Sequence, residues 1–243
     1  MADARAVLRY VEEHTDLSVL AVTDHDDVGG ALVAREEHAR GSFSFELVTG
    51  IEVTTLAGHL LALWVDEPLR SFRSLPATIE AIHRAGGLAV VPHPFSMATR
   101  SVGRRALEAV LAIEDSGTHP DGLEVANPTL AGALTGNRPR ALNRGRYALA
   151  ETGGSDAHFL DAIGSGVTIF AAGAGAPPAG ALRAAIEERA SYGTIRRAPS
   201  LRQLGPRRIA MQQVIGLSTT PRKVLGPPLT RFASRFRVPG GVR

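Results

Sequence analysis

The chain has 243 residues, of which 44% are hydrophobic and 21% charged, a composition typical of a globular protein with a hydrophobic core. It has no cysteine, which excludes disulfides, thiolate metal sites and cysteine nucleophiles, and it has no apolar run long enough for a transmembrane helix. Its net charge of +3 is the sum of two unlike parts: residues 1–195 carry 16 basic and 24 acidic residues, whereas residues 196–243 carry 11 basic residues and no acidic one. The first residues contain acids and no continuous apolar segment, so we expect no secretory signal and a cytoplasmic location.

Residues 1–195 alternate between stretches with helical spacing and short apolar runs. Predicted helices lie at 4–13, 28–39, 75–85, 103–114, 130–146 and 179–190. Predicted strands lie at 17–22, 46–53, 60–65, 88–91, 122–125, 148–152 and 167–170. This alternation indicates an α/β domain with a parallel sheet and helical crossovers, and six or seven such units favour a closed or nearly closed barrel.

Residues 196–243 contain six prolines and scattered arginines without a regular period, which predicts a weakly packed or partly disordered extension. Its positive charge suits nucleic acid phosphates or an anionic membrane surface, and Phe232 and Phe236 offer slight aromatic support. We favour a plainer interpretation, in which the extension packs on the acidic domain and neutralises it.

Histidines and acids occur at the ends of several predicted strands, where the active site of a parallel barrel is built. The residues concerned are Asp24, His25, Glu52, His93, Asp156 and His158. His59 precedes its strand instead, as expected for a hairpin arm that folds back over the mouth of the barrel. We interpret His14, His38, His83 and His119 as ordinary structural or surface histidines.

Imidazole and carboxylate ligands without thiols suit zinc, manganese or iron. Converging acids would repel one another without cations, and six ligands exceed what one tetrahedral ion takes from protein. The cluster therefore predicts two or more metal ions. Paired metals about 3.5–4 Å apart clamp a phosphate and lower the pKa of a bridging water.

Four segments carry a family resemblance when taken together and in order. They are Ala21–Asp26, Gly50–Glu52 with His59–Leu61, Val91–Pro94, and Gly154–His158. Over roughly residues 1–190 the chain resembles the polymerase and histidinol phosphatase (PHP) family of metal-dependent phosphoesterases. The resemblance implies a distorted (β/α)7 barrel, two to three divalent metal ions (Mn, Zn or Fe) and phosphoester hydrolysis by a metal-bridging hydroxide.

The resemblance also implies a role for individual residues. The implied metal ligands are His25, Glu52, His59, His93, Asp156 and His158, with Glu52 in the position that bridges two ions. Asp24 would lie next to the ligands. Asn127 and Arg100 are implied as substrate-binding residues, with Arg104 and Arg105 as alternatives to Arg100.

One family feature is missing from the sequence. PHP members begin with a strand that ends in His-x-His, and this sequence contains no His-x-His. The first barrel strand and two or three ligands are therefore expected to be absent. We favour a recorded start downstream of the true one, because the remaining ligand segments are intact; the alternative is a degenerate protein.

The resulting prediction is a metal-dependent phosphoesterase domain at residues 1–195 that acts on a small phosphorylated substrate, followed by a basic extension at 196–243. Two alternatives stay open. The chain would be a catalytically impaired PHP-like scaffold or binding module, or it would hydrolyse carboxyl esters or amides with the same metal cluster.

Overall fold

The computed structural model describes residues 3–173 and 175–197. Strands and helices alternate through this part of the chain. The strands are β1 (Val19–His25), β2 (Glu46–Thr54), β3 (His59–Leu63), β4 (Leu88–Val91), β5 (Gly122–Ala126), β6 (Ala150–Gly153), β7 (Gly166–Ile169) and β8 (Tyr192–Ile195). The helices are α1 (Ala4–His14), α2 (Gly29–Arg40), α3 (Leu75–Arg84), α4 (Arg104–Leu111), α5 (Leu130–Thr135), α6 (Arg138–Leu142) and α7 (Pro178–Glu187).

Six strands form one curled sheet in the order β1-β2-β3-β4-β5-β6. The pairs β1–β2, β4–β5 and β5–β6 are parallel, whereas β3 is antiparallel to both of its neighbours. Strands β7 and β8 form a separate antiparallel pair beside β6, where the Gly153 N–H donates to Thr168 Oγ1 at 3.0 Å. The α/β class is therefore confirmed.

Two details of the expected barrel differ from the structure. The sheet is mixed rather than parallel, because the β2–β3 hairpin inserts β3 between β2 and β4 instead of folding it over the mouth. Within the described residues the strands also form two sheets, and β1 and β6 are not paired with each other. These residues make a half-barrel, and the seven-stranded closure stays a prediction.

The helix predicted over 130–146 is also wrong in detail. It is divided into α5, α6 and one π-helical turn over Asn143–Tyr147. Gly136 ends α5 with a φ of 55°, a conformation that glycine adopts without a Cβ penalty. Pro139 lies in the first turn of α6, where its missing N–H leaves no helical hydrogen bond unmade.

The main hydrophobic core lies between the central strands and helices α3 and α4. It includes Ile51, Leu60, Leu123, Ile79 and Leu107, all less than 2% exposed. Strands β2 to β5 are buried along nearly their whole length, as expected for strands covered on both faces. The carboxyl ends of β2, β4 and β5 and the amino end of β3 are thus held on a rigid scaffold.

No helix within residues 3–173 and 175–197 is long and apolar enough to cross a membrane. The predicted cytoplasmic location stays a prediction. Of the basic extension expected at 196–243, only Arg196 and Arg197 are described; Arg196 pairs with Asp16, and an Arg197 guanidinium N–H donates to the Ile163 carbonyl at 2.9 Å. The rest of the extension lies outside the described residues.

Candidate metal centre

Three imidazoles surround the carboxylate of Glu52 near the end of β2. Glu52 Oε1 lies 2.8 Å from His59 Nδ1 and 3.1 Å from His93 Nε2, which donates a hydrogen bond to it. Glu52 Oε2 lies 3.5 Å from His25 Nδ1. The ligand atoms offered by His25, Glu52 and His59 all lie within 4.8 Å of one another. The structure therefore brings four of the six expected ligands together.

The register of the sheet explains this convergence. His25 is the direct partner of Glu52 in the parallel β1–β2 pair, so the two side chains leave the same face of the sheet. His59 is paired with Thr54, two residues beyond Glu52 and therefore on the same face. His93 follows β4 and reaches the cluster from the other side of β3. The antiparallel β3 thus delivers a ligand from its amino end.

The two remaining expected ligands lie at the edge of the cluster. The His158 ring centroid is 6.4 Å from that of His25, and His158 Nδ1 is 3.1 Å from the Asp156 carbonyl oxygen. Asp156 is close enough to His93 to raise the pKa of that imidazole. Both residues therefore face the same region without entering the tight group around Glu52.

Asp26, to which sequence analysis gave no role, holds the part of β2 that carries Glu52. Its backbone is left-handed, with φ 52°, and its N–H donates to the Glu52 carbonyl at 3.0 Å. Its Oδ1 accepts from the Thr54 N–H at 2.7 Å and from Ser71 Oγ at 2.6 Å. Asp26 thereby fixes the strand segment that carries Glu52.

Glu124 is the second supporting residue that the sequence did not reveal. It is 4% exposed, and its Oε2 accepts the His93 N–H at 2.6 Å and Asn127 Nδ2 at 2.9 Å. His93 has a φ of 31°, an uncommon backbone conformation that costs on the order of 1–3 kcal/mol unless its surroundings enforce it. The bond to Glu124, with Ser101 Oγ 3.0 Å from His93 Nδ1, holds both backbone and ring in place.

Two sequence comparisons relate the chain to known proteins. Residues 138–191, which include Asp156 and His158, match the family model described as PHP-associated. The chain is 31% identical over 125 residues to uncharacterized protein MJ1587 of Methanocaldococcus jannaschii; the match covers 51% of this chain and 66% of that protein.

A solved structure from Bacteroides vulgatus has a similar fold. It is a two-domain protein containing a predicted PHP-like metal-dependent phosphoesterase, with a TM-score of 0.57 and 18% sequence identity over 79% of this chain and 60% of that one. The chain thus spans less than two thirds of either protein. The chain therefore resembles PHP proteins in residues 138–191 and in its overall fold.

Neighbouring charges shift the pKa values of Glu52 and His93 in opposite directions. Burial favours a neutral Glu52, but contacts with His59, His93 and His25 outweigh it and hold the pKa of Glu52 well below its usual range. Burial likewise opposes charge on His93, yet Glu52 and Asp156 raise the pKa of this imidazole to about 9. The cluster therefore favours an ionised Glu52 carboxylate next to a protonated His93 imidazole.

The residues present suit a divalent cation. His59 Nδ1 is buried and lies 2.8 Å from Glu52 Oε1, but it has no hydrogen-bond partner of good geometry within the described part of the chain. A buried imidazole nitrogen without a hydrogen bond is costly unless another partner takes its lone pair. Imidazole with carboxylate is the donor set that zinc, manganese and iron accept.

The other expected site residues lie farther from the cluster centre. The Asp24 carboxylate lies against Gly30 at the start of α2, where a Cβ would approach it to 1.8 Å. The Arg100 guanidinium packs over the Phe72 ring at 5.5 Å, and the Arg100 carbonyl accepts the His59 N–H at 2.8 Å. Asn127 donates a hydrogen bond to Glu124. Its role in substrate binding stays a prediction.

Proposed function

We propose that this protein is a member of the PHP family and a metal-dependent phosphoesterase. The observation that carries the proposal is the Glu52 carboxylate enclosed by His25, His59 and His93, with His59 Nδ1 buried and without a hydrogen bond. A fold shared with a protein described as PHP-like metal-dependent phosphoesterase supports the same activity.

The proposed ligands divide the work of the site. Glu52 would bridge two ions, with His25, His59 and His93 around it and Asp156 and His158 completing the set. Two to three divalent ions of Mn, Zn or Fe bound here would supply Lewis acidity to a phosphoryl group and lower the pKa of water. Glu124, through the His93 amide, and Asp26, through the Thr54 amide, would keep the ligands in position.

The proposed substrate is a small phosphorylated molecule. Arg100 lies on the loop that contacts His59 through its carbonyl, and its guanidinium would bind a phosphate oxygen beside the centre. Packing of the Arg100 side chain on Phe72 reduces the freedom that it would lose on binding.

Metal content and substrate choice test the proposal together. The purified chain, loaded in turn with Mn, Zn and Fe, is assayed for phosphate release from phosphomonoesters and for hydrolysis of matched carboxyl esters and amides. We expect phosphate release that His59→Ala lowers at least about 100-fold, since a ligand is lost. His14→Ala, which changes an exposed histidine at the end of α1, is the matched control and should keep wild-type activity.

Other outcomes would contradict the proposal in distinct ways. Metal binding without hydrolysis of any ester favours a scaffold or binding module. Metal-dependent hydrolysis of carboxyl esters or amides without phosphate release favours the other hydrolase class. Equal activity in His59→Ala and the wild type would show that this cluster is not the catalytic site.

A further inference from the structure

A cavity of about 230 Å³ adjoins the metal centre on the side of β5. His93 belongs to both, because it lines the cavity while its Nε2 contacts Glu52. The floor is buried and includes Pro94, Val125 and Pro139. The mouth is formed by residues that solvent reaches, namely Ala133, Gly136 and Ile195.

The lining is mostly apolar, and several of its polar atoms already have protein partners. Glu124 Oε2 accepts two hydrogen bonds, from the His93 amide and from Asn127. Asn127 Oδ1 accepts two more, from the N–H and the hydroxyl of Thr129, at 2.9 and 2.6 Å. The Thr135 hydroxyl donates to the Gly132 carbonyl at 2.9 Å. A polar ligand such as a sugar would leave its own donors and acceptors poorly paired here, whereas an apolar ligand would not.

The volume limits the ligand to a compact group. An apolar cavity of about 150 Å³ accommodates benzene. Pockets for drug-sized molecules run from about 300 to 1,000 Å³. At about 230 Å³, the cavity beside His93 fits one six-membered ring with a short linker.

We propose that this cavity binds the organic part of the substrate, and that this part is an uncharged apolar group about the size of one ring. The inference rests on the proposed phosphoesterase function. A phosphate held by the ligands around Glu52 would lie next to His93, and the ester oxygen would direct the organic group across His93 into the cavity. The cavity then determines which alcohols the enzyme releases.

Benzyl phosphate and ethyl phosphate test this inference, because both release a primary alcohol and differ mainly in the ring. We expect the wild type to have a kcat/KM at least about tenfold higher for benzyl phosphate, with the gain mainly in KM. Ala133→Phe at the mouth and Val125→Phe on the floor should each reduce that ratio to near unity by filling the cavity. Leu134→Phe is the matched control, because Leu134 lies on the same helix, is 63% exposed and does not line the cavity.

Each outcome decides between the two proposals. Phosphate release with the same benzyl-to-ethyl ratio in the wild type and in both filled variants overturns the cavity proposal and leaves the phosphoesterase intact. If neither these two esters nor the other phosphomonoesters assayed above are hydrolysed, the proposed function fails, and saturation-transfer NMR with benzyl alcohol tests the cavity alone. Transfer to the wild type and Leu134→Phe that is lost in folded Ala133→Phe supports the site; no transfer, or equal transfer in all three, overturns it.

Discussion

Glu52 and Glu124 are two buried glutamates in the same sheet that both contact His93, but the rest of their surroundings differs. Glu52 is 7% exposed and is surrounded by imidazoles, which hold its pKa well below the usual range. Glu124 is 4% exposed and borders an apolar cavity, so burial raises its pKa to about 7 despite the opposing charge of His93. Similar burial is therefore accompanied by opposite pKa shifts, because the neighbours of a carboxyl group decide whether its charge is compensated.

The largest expected effect comes from removing the charge of Glu52. Glu52→Gln keeps the size of the side chain but removes the anion that three imidazoles face, so we expect metal affinity to fall by more than about 100-fold. Metal per chain after dialysis, measured by inductively coupled plasma mass spectrometry, checks this. The exposed Glu114→Gln is the matched control, and unchanged metal content in Glu52→Gln would remove the proposed difference between the two glutamates.

At Glu124 we expect the hydrogen-bonding oxygen, rather than the charge, to matter for stability. Glu124→Ala leaves the His93 N–H and Asn127 Nδ2 without their acceptor, which should cost about 2–4 kcal/mol of unfolding free energy. Glu124→Gln retains an acceptor oxygen and resembles the protonated acid, so its cost should stay below about 1 kcal/mol. Urea denaturation of both variants measures the difference. Equal destabilisation by Gln and Ala would show that Glu124, like Glu52, acts through its charge.

The smallest effect is expected at His83, which pairs with Asp121 away from both Glu52 and Glu124. His83 Nδ1 lies 2.8 Å from the Gly117 carbonyl and Nε2 lies 2.9 Å from Asp121 Oδ2. Since both partners only accept, both ring nitrogens donate, and the bond to Asp121 raises the pKa of His83 above 6.5.

This pair should make stability fall as pH rises. Its contribution, about 1 kcal/mol, is fully present below pH 6.5, the unfolded value, and is lost as pH rises through the raised pKa of the folded state. Denaturant unfolding from pH 5.5 to 9 should therefore show a steeper decline for the wild type than for His83→Gln, with and without metal. Parallel curves would refute the expected pH response, and a slope that changes with metal would couple His83 to the centre.

The sequence could predict the site residues that lie at the ends of strands. His25, Glu52 and His93 lie at or next to apolar runs, and the runs do become strands whose ends meet. Glu124 and Asp26 escaped because they act on backbone amides of residues distant in sequence. An acid that binds a remote N–H has no characteristic spacing from its partner.

The fold shows a similar limit. Apolar runs predicted seven strands near their observed positions, but periodicity carries no strand direction, so the antiparallel β3 was foreseen only as a hairpin arm. Strand β8 was missed because Tyr192–Ile195 lacks an apolar run; Tyr192 and Ile195 are about half exposed. Pairing with β7, which is tertiary rather than local, defines it.

The direct pairing of His25 with Glu52 links the proposed metal centre to the register of β1 against β2. A slip of β1 by one residue along β2 would turn His25 to the opposite face of the sheet and away from Glu52. A cation held by both side chains would therefore bind only the native register, and its binding energy would add to the stability of that register alone. In such a protein the bound metal would add to the preference for the correct strand alignment over a one-residue slip.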